Sequence, residues 1–250
     1  MILNVRGIRF DYPGRPVLEE VNFVVKKGQV LAILGTNGTG KTTLLKCLNR
    51  ILTPAAGTVL IEDQPISTLS RNGLAQKMGY VEQQRNGSRA TVFNTVLLGR
   101  KPYIRWDISQ NDMAIAAQAL ETLGLSEFAL RHLDELSGGE LQKVVIARAL
   151  AQEPEILLMD EPTSSLDLKN QIEVVNLIRQ ISRERGIAAV VAMHDLNLAL
   201  RLADRFILLK DKSIYAAGGS EVMTPENIQA VYAVPVTIVA HNGSRAVIPL

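Results

Sequence analysis

The residues best suited to chemistry stand in the run Gly35-Thr36-Asn37-Gly38-Thr39-Gly40-Lys41-Thr42, which fits G-x-x-x-x-G-K-[ST]. Glycines at this spacing let consecutive backbone N–H groups converge on phosphate oxygens, and a helix starting behind them adds its positive dipole end. Lys41 is placed to reach the β- and γ-phosphates of a nucleoside triphosphate, and the Thr42 hydroxyl to ligate Mg²⁺. The expected binding set is Gly35, Asn37, Gly38, Gly40, Lys41, Thr42 and Thr43. The plainer alternative is a glycine-rich turn before an ordinary helix. The context weighs against it, because the loop follows Val30-Leu31-Ala32-Ile33-Leu34, a continuous apolar run of the kind buried on both faces of a sheet.

A second group is Asp160-Glu161-Pro162, at the end of the apolar run Ile156-Leu157-Leu158-Met159. Acids before a proline often only start a turn. In a doubly wound sheet, however, ligands sit at the carboxyl ends of the strands, so both acids would face the phosphate loop. Asp160 is then suited to hold Mg²⁺ through water, and Glu161 to polarise an attacking water.

A third group is Leu136-Ser137-Gly138-Gly139-Glu140. Ser137 and Glu140 have the S-x-x-E spacing of a capping box. Two glycines in a first helical turn each cost about 1 kcal/mol relative to alanine, and a cap alone gains nothing from them. Bare N–H groups at Ser137, Gly138 and Gly139 make sense if they approach an anion closely. Since the phosphate loop already occupies one side of a nucleotide, this second nest implies a nucleotide held by another copy of the chain.

These groups need elements to position them. Buried-strand runs at 30–34, 156–159 and 188–192 each lead into a helical pattern, at about 41–48, 168–184 and 195–203, which predicts a parallel sheet with helices on its faces. The first 25 residues alternate apolar and polar, as an antiparallel edge sheet would. From about 85 to 151 no buried-strand run occurs and helical patterns dominate, at 114–123 and 138–151, so a helical subdomain is expected to interrupt an α/β core of about 1–84 and 152–250. The tail offers strands at 205–210 and 213–217, then a helix capped by Thr224 with Pro225 at its first position. No repeat or linker divides the 250 residues, so a single domain is expected.

Composition narrows the class further. Lys and Arg total 27 against 25 Asp and Glu, a net charge of +2 that gives no sign of a nucleic-acid binder. Hydrophobic residues make up 47%, only 4% of residues are aromatic, and the mean hydropathy is +0.12, which suits an aliphatic core and excludes disorder. The longest apolar runs fall short of the roughly 18–20 residues of a spanning helix. The start shows no signal-peptide pattern, and Cys47 is the single cysteine, so a reducing cytoplasm is the expected setting.

The phosphate loop, the 136–140 signature and the 156–161 run occur in the order found in the ATP-binding-cassette ATPases, and the chain resembles that family over essentially its whole length. Leu-Ser-Gly-Gly is highly specific, because other phosphate-loop kinases and GTPases lack it. The resemblance implies ATP and Mg²⁺ as ligands and a phosphate-loop NTPase fold. It implies that Tyr12 stacks on adenine, and that Gln83, in Tyr80-Val81-Glu82-Gln83, senses the γ-phosphate and Mg²⁺ and relays that state to a membrane partner. Gln83 is preferred to Gln84 by spacing. It further implies that Asp167, in Ser164-Ser165-Leu166-Asp167, connects two nucleotide sites across a dimer. His194 matches the family's switch histidine, which contacts the γ-phosphate. His132 and His241 match no motif, and Cys47 reads as a small buried hydrophobe.

The segment 91–103 and the endings Val231-Tyr232-Ala233-Val234 and Ala246-Val247-Ile248-Pro249 are similar to importers of ferric siderophores, haem and cobalamin, an architecture some molybdate or tungstate importers share. Only 56 residues follow His194, fewer than the regulatory domain of sugar-importer ATPases requires. The resemblance implies a homodimer closing over two MgATP at the cytoplasmic face of a membrane, docked to permease subunits and served indirectly by a substrate-binding protein. A rival reading is a soluble ATP switch without transport, whose known forms carry two cassettes, a coiled-coil insert or a basic surface.

Overall fold

Alternate residues of the run 30–34 face opposite sides, as the two-residue period of a strand requires. Val30, Ala32 and Leu34 enter one hydrophobic cluster, and Leu31 and Ile33 enter another. All five are buried, so this strand is the middle layer of a sandwich covered on both faces. The computed structural model of the chain describes residues 1–82, 89–241 and 244–250.

The central sheet has six strands: β3 (Val30–Leu34), β6 (Met78–Val81), β7 (Ile156–Asp160), β8 (Ala188–Ala192), β9 (Arg205–Lys210) and β10 (Ser213–Gly218). They lie in the order β10-β9-β3-β8-β7-β6, parallel except for the edge hairpin β9–β10. An antiparallel sheet of β1 (Leu3–Tyr12), β2 (Arg15–Val25), β4 (Ala56–Ile61) and β5 (Gln64–Pro65) runs in the order β2-β1-β4-β5. It shares one core cluster with α1 (Lys41–Leu48) and with α2 (Arg71–Lys77), which contributes Leu74. Cys47 lies buried in that layer, and burial pushes its thiol up to about 12.

The opposite face is covered by α6 (Leu168–Arg185), α7 (Leu196–Leu202) and α8 (Pro225–Tyr232), together with the helical region. That region contains α3 (Val92–Leu97), α4 (Gln110–Thr122) and α5 (Gly138–Leu150), with no strand among the described residues between 89 and 151. The helix expected from residue 114 begins at Gln110, because Ser109 and Asp112 form a reciprocal capping box. Asp112 also meets Arg100, whose side chain is 3% exposed. The guanidinium donates to Asp112 at 3.0 Å, to the Ala151 carbonyl at 2.7 Å and to Glu153 at 2.8 Å, joining three parts of the helical region.

Beyond α8 the chain forms a hairpin of β11 (Val236–His241) and β12 (Ser244–Pro249), which the sequence reading did not foresee. Asn197 of α7 holds it: its carboxamide donates to the Val247 carbonyl at 3.2 Å and accepts from the Val247 N–H at 2.8 Å. No helix among the described residues is long and apolar enough to cross a membrane.

Candidate nucleotide site

Three neighbouring parallel strands bring the candidate residues to one edge. β3 ends before Gly35, β7 ends at Asp160, and β8, between them, leads to His194. This is the carboxyl edge of an open α/β sheet, where ligands bind.

The phosphate loop turns sharply at Gly35 and Gly40, with φ of 153° and 100°. A Cβ on Gly35 would sit 2.7 Å from the Leu209 carbonyl oxygen and 2.8 Å from the Thr39 hydroxyl, so only glycine fits there. Gly40 is the N-cap of α1, in left-handed conformation against Val17 and Leu18. The Lys41 ammonium folds back into the loop, donating to the carbonyls of Gly35 at 2.7 Å and Thr36 at 3.2 Å. Burial lowers its pKa, against the opposing pull of the Glu161 and Asp160 charges.

The Thr42 hydroxyl donates to the Asp160 carboxylate at 3.0 Å. Asp160 is 4% exposed, and burial raises its pKa; the Thr42 hydrogen bond opposes the rise, and the neighbouring Glu161 charge adds to it. These two hard oxygen donors suit Mg²⁺, which takes one or two protein oxygens and completes its shell with phosphate and water. A divalent cation would also offset the cost of holding a carboxylate in this buried position.

Glu161 adopts a left-handed backbone, φ 49°, which is uncommon for a residue with a side chain and turns the chain out of the sheet after β7. Its N–H donates to the Ala192 carbonyl at 3.0 Å, holding the turn against β8. The His194 ring nitrogen Nδ1 lies 3.4 Å from the Glu161 carboxylate. A cleft of about 440 Å³ is lined by Tyr12, Arg15, Val17, Asn37, Gly38, Gly40, Lys41, Thr42, Thr43 and Glu161. Tyr12 stands at its mouth, 42% exposed and edge-on to Phe10 at 4.9 Å between ring centroids. Arg15 was missed by sequence reasoning. The only signal was its place opposite Tyr12 across the turn that joins β1 and β2.

Ser137, Gly138, Gly139 and Asp167 do not line this cleft. Ser137 caps α5 in the expected box, and its bonds to Glu140 lower that carboxyl's pKa. The two glycines divide. Gly139 is buried, and a Cβ there would meet the end of the Asn170 side chain of α6, which would have to swing aside. Gly138 is exposed, and the nearest atom to a Cβ there is Leu166 Cδ2 at 3.7 Å, an ordinary contact. Asp167 caps α6, accepting from the Asn170 N–H at 2.8 Å, so one short stretch joins signature and cap. Gln83 and Gln84 lie outside the described residues.

Known proteins match this arrangement. The sequence profile of the ABC transporter family matches residues 18–164. An uncharacterised ABC transporter ATP-binding protein of Methanocaldococcus jannaschii is 55% identical over 250 residues, covering 100% of this chain and 98% of that protein. The cobalamin import ATP-binding protein of Halobacterium salinarum is 35% identical over 249 residues, covering 99% of this chain and 63% of that longer protein. Among solved structures, an inward-facing putative metal-chelate type ABC transporter superposes with a TM-score of 0.87 at 31% identity, covering 100% of this chain and 97% of the matched one. With its phosphate loop, its paired acids and its Ser-Gly-Gly turn on a mixed α/β core, the chain belongs to the ABC transporter family and is an ATP hydrolase.

Proposed function

We propose that the chain is the ATP-hydrolysing subunit of an importer for a metal chelate such as a ferric siderophore, haem or cobalamin. The observation that carries the catalytic part is the bond to buried Asp160 from Thr42, which lines one cleft together with Lys41, Glu161 and Tyr12. The similarity to a cobalamin-import protein and to a metal-chelate type transporter supports the cargo class.

In this reading Tyr12 offers its ring to adenine, and the loop amides with Lys41 grip the phosphates. Thr42 and Asp160 hold Mg²⁺, Asp160 through water, with Gln83 as a further ligand. The ion supplies neutralisation of the charge that develops on the phosphate oxygens. Glu161 accepts a proton from the attacking water or orients it, and His194, beside its carboxylate, helps hold the γ-phosphate. Two copies close head-to-tail, so that Ser137, Gly138 and Gly139 approach the nucleotide on the partner's phosphate loop and Asp167 links the two sites. Gly138 supports this arrangement, because nothing inside one chain requires a glycine there. The dimer works beneath permease subunits at the cytoplasmic face of the membrane, with a substrate-binding protein delivering cargo. The unit is one cassette, with its helical subdomain at about 85–151.

Co-purification tests the reading. The chain, expressed with the permease encoded beside it, is expected to remain bound through detergent extraction. Its ATPase is expected to rise when the binding protein loaded with chelate is added. Full recovery of the chain free of membrane protein, with turnover insensitive to every loaded binding protein, would make it a soluble switch.

A further inference from the structure

Beyond the ladder of β3, the N–H of Gly35 donates to the hydroxyl of Tyr232 at 2.9 Å, across 197 residues of sequence. Tyr232 is the last residue of α8, and the helix ends immediately after it at Ala233 in left-handed conformation. Burial pushes the phenol up to about 12, so the hydroxyl stays neutral. The carbonyl of the same Gly35 receives the Lys41 ammonium at 2.7 Å. Leu209 and Thr39 stand where a Cβ would be, so this position must remain glycine. The tyrosine is itself fixed, because β11 and β12 follow α8 directly and Asn197 clamps β12 to α7, four residues after Met193.

We propose that Tyr232 is a positioning residue for the phosphate loop: its hydroxyl anchors the Leu34–Gly35 peptide at the start of the loop, and so steadies the next peptide, whose carbonyl Lys41 leaves to reach the nucleotide. The C-terminal helix and hairpin thereby set nucleotide affinity although they contribute no atom to the cleft lining. The proposal rests on the reading of 35–42 as the ATP site. A tyrosine that merely packs α8 onto the core would stabilise the fold without tuning affinity, which separates the two roles.

The test uses the full chain and MgATP, with affinity measured by calorimetry, turnover by phosphate release and Tm by thermal melting. Tyr232→Phe removes only the hydroxyl. It is expected to weaken MgATP binding and raise KM about tenfold, the effect of one lost neutral hydrogen bond, while kcat changes less than KM. Tyr215→Phe, on the exposed face of β10, is expected to change nothing. Lys41→Ala serves as reference and is expected to lose affinity. Unchanged affinity in Lys41→Ala would overturn the site reading itself. Weakened Lys41→Ala beside an unweakened Tyr232→Phe would overturn only the role of Tyr232, as would a lower Tm with affinity intact. Amide exchange on the unmutated chain gives a second reading that needs no variant to fold. The Gly35 N–H is expected to exchange at least roughly tenfold more slowly than that of exposed Gly38, and equal rates would overturn the proposal.

Discussion

The Thr42 hydroxyl and the Asp160 carboxylate, 118 residues apart in sequence, meet at 3.0 Å. This bond ties the first turn of α1 to the end of β7 and places a carboxylate where water is largely excluded. The arrangement favours a cation and is unfavourable without one.

Asp160→Asn is therefore expected to stabilise the nucleotide-free chain at neutral pH while abolishing hydrolysis. Burial, the largest influence, raises the folded pKa of Asp160 above the 3.8 of a free carboxyl. The folded state then holds more protons than the unfolded state between the two values, so stability falls as pH rises through that window. The Asn variant lacks this loss and still offers an acceptor to Thr42. Thermal melts from acid to neutral pH check the sign: the Tm advantage of Asn should grow as pH rises and vanish toward the free-carboxyl value.

Glu161→Gln is expected to keep ATP affinity, lose at least roughly 100-fold in turnover and accumulate as an ATP-bound dimer on gel filtration. Full turnover would remove Glu161 from the catalytic role. His194→Ala, which leaves the carboxylate in place, is expected to reduce turnover as well.

Gly138→Ala separates fold from assembly. The nearest atom to the added methyl lies at 3.7 Å, so the Tm should match or exceed that of the unmutated chain. ATP-driven dimerisation and turnover should fall at least roughly tenfold if a partner's nucleotide approaches this backbone. Normal turnover would leave the signature with only its capping role.

Asp112→Ala leaves Arg100 buried with one of its carboxylates gone. Breaking a buried pair costs about 3 kcal/mol, and in a domain of this size that lowers Tm by on the order of 10 °C. The double variant Arg100→Met, Asp112→Leu should recover much of this loss, because no buried charge remains. Equal losses in the two variants would mean that the helical region does not depend on this pair.

Legibility followed the range of the interaction. Strands at 30–34, 156–160 and 188–192 declare themselves because burial on both faces demands unbroken apolar runs, and the phosphate loop because its glycines answer local backbone needs. β6 escaped notice, being four residues that include Gly79 and Tyr80, and so did the C-terminal hairpin. The candidate site divides the same way. Gly35, Lys41 and Asp160 stand in recognisable patterns, whereas Arg15 enters through a hairpin turn and Tyr232 through a contact 197 residues long.

The strand order also governs how the chain can be made. β3 emerges early from the ribosome, yet both of its neighbours, β8 and β9, lie beyond residue 187. At typical elongation rates the apolar run 30–34 waits roughly 8–30 s for a sheet to join. During synthesis the nucleotide loop is thus an unsupported segment behind an exposed strand, a natural client for chaperones. The sheet on both sides of the nucleotide loop is complete only once residues 188–210 have been translated.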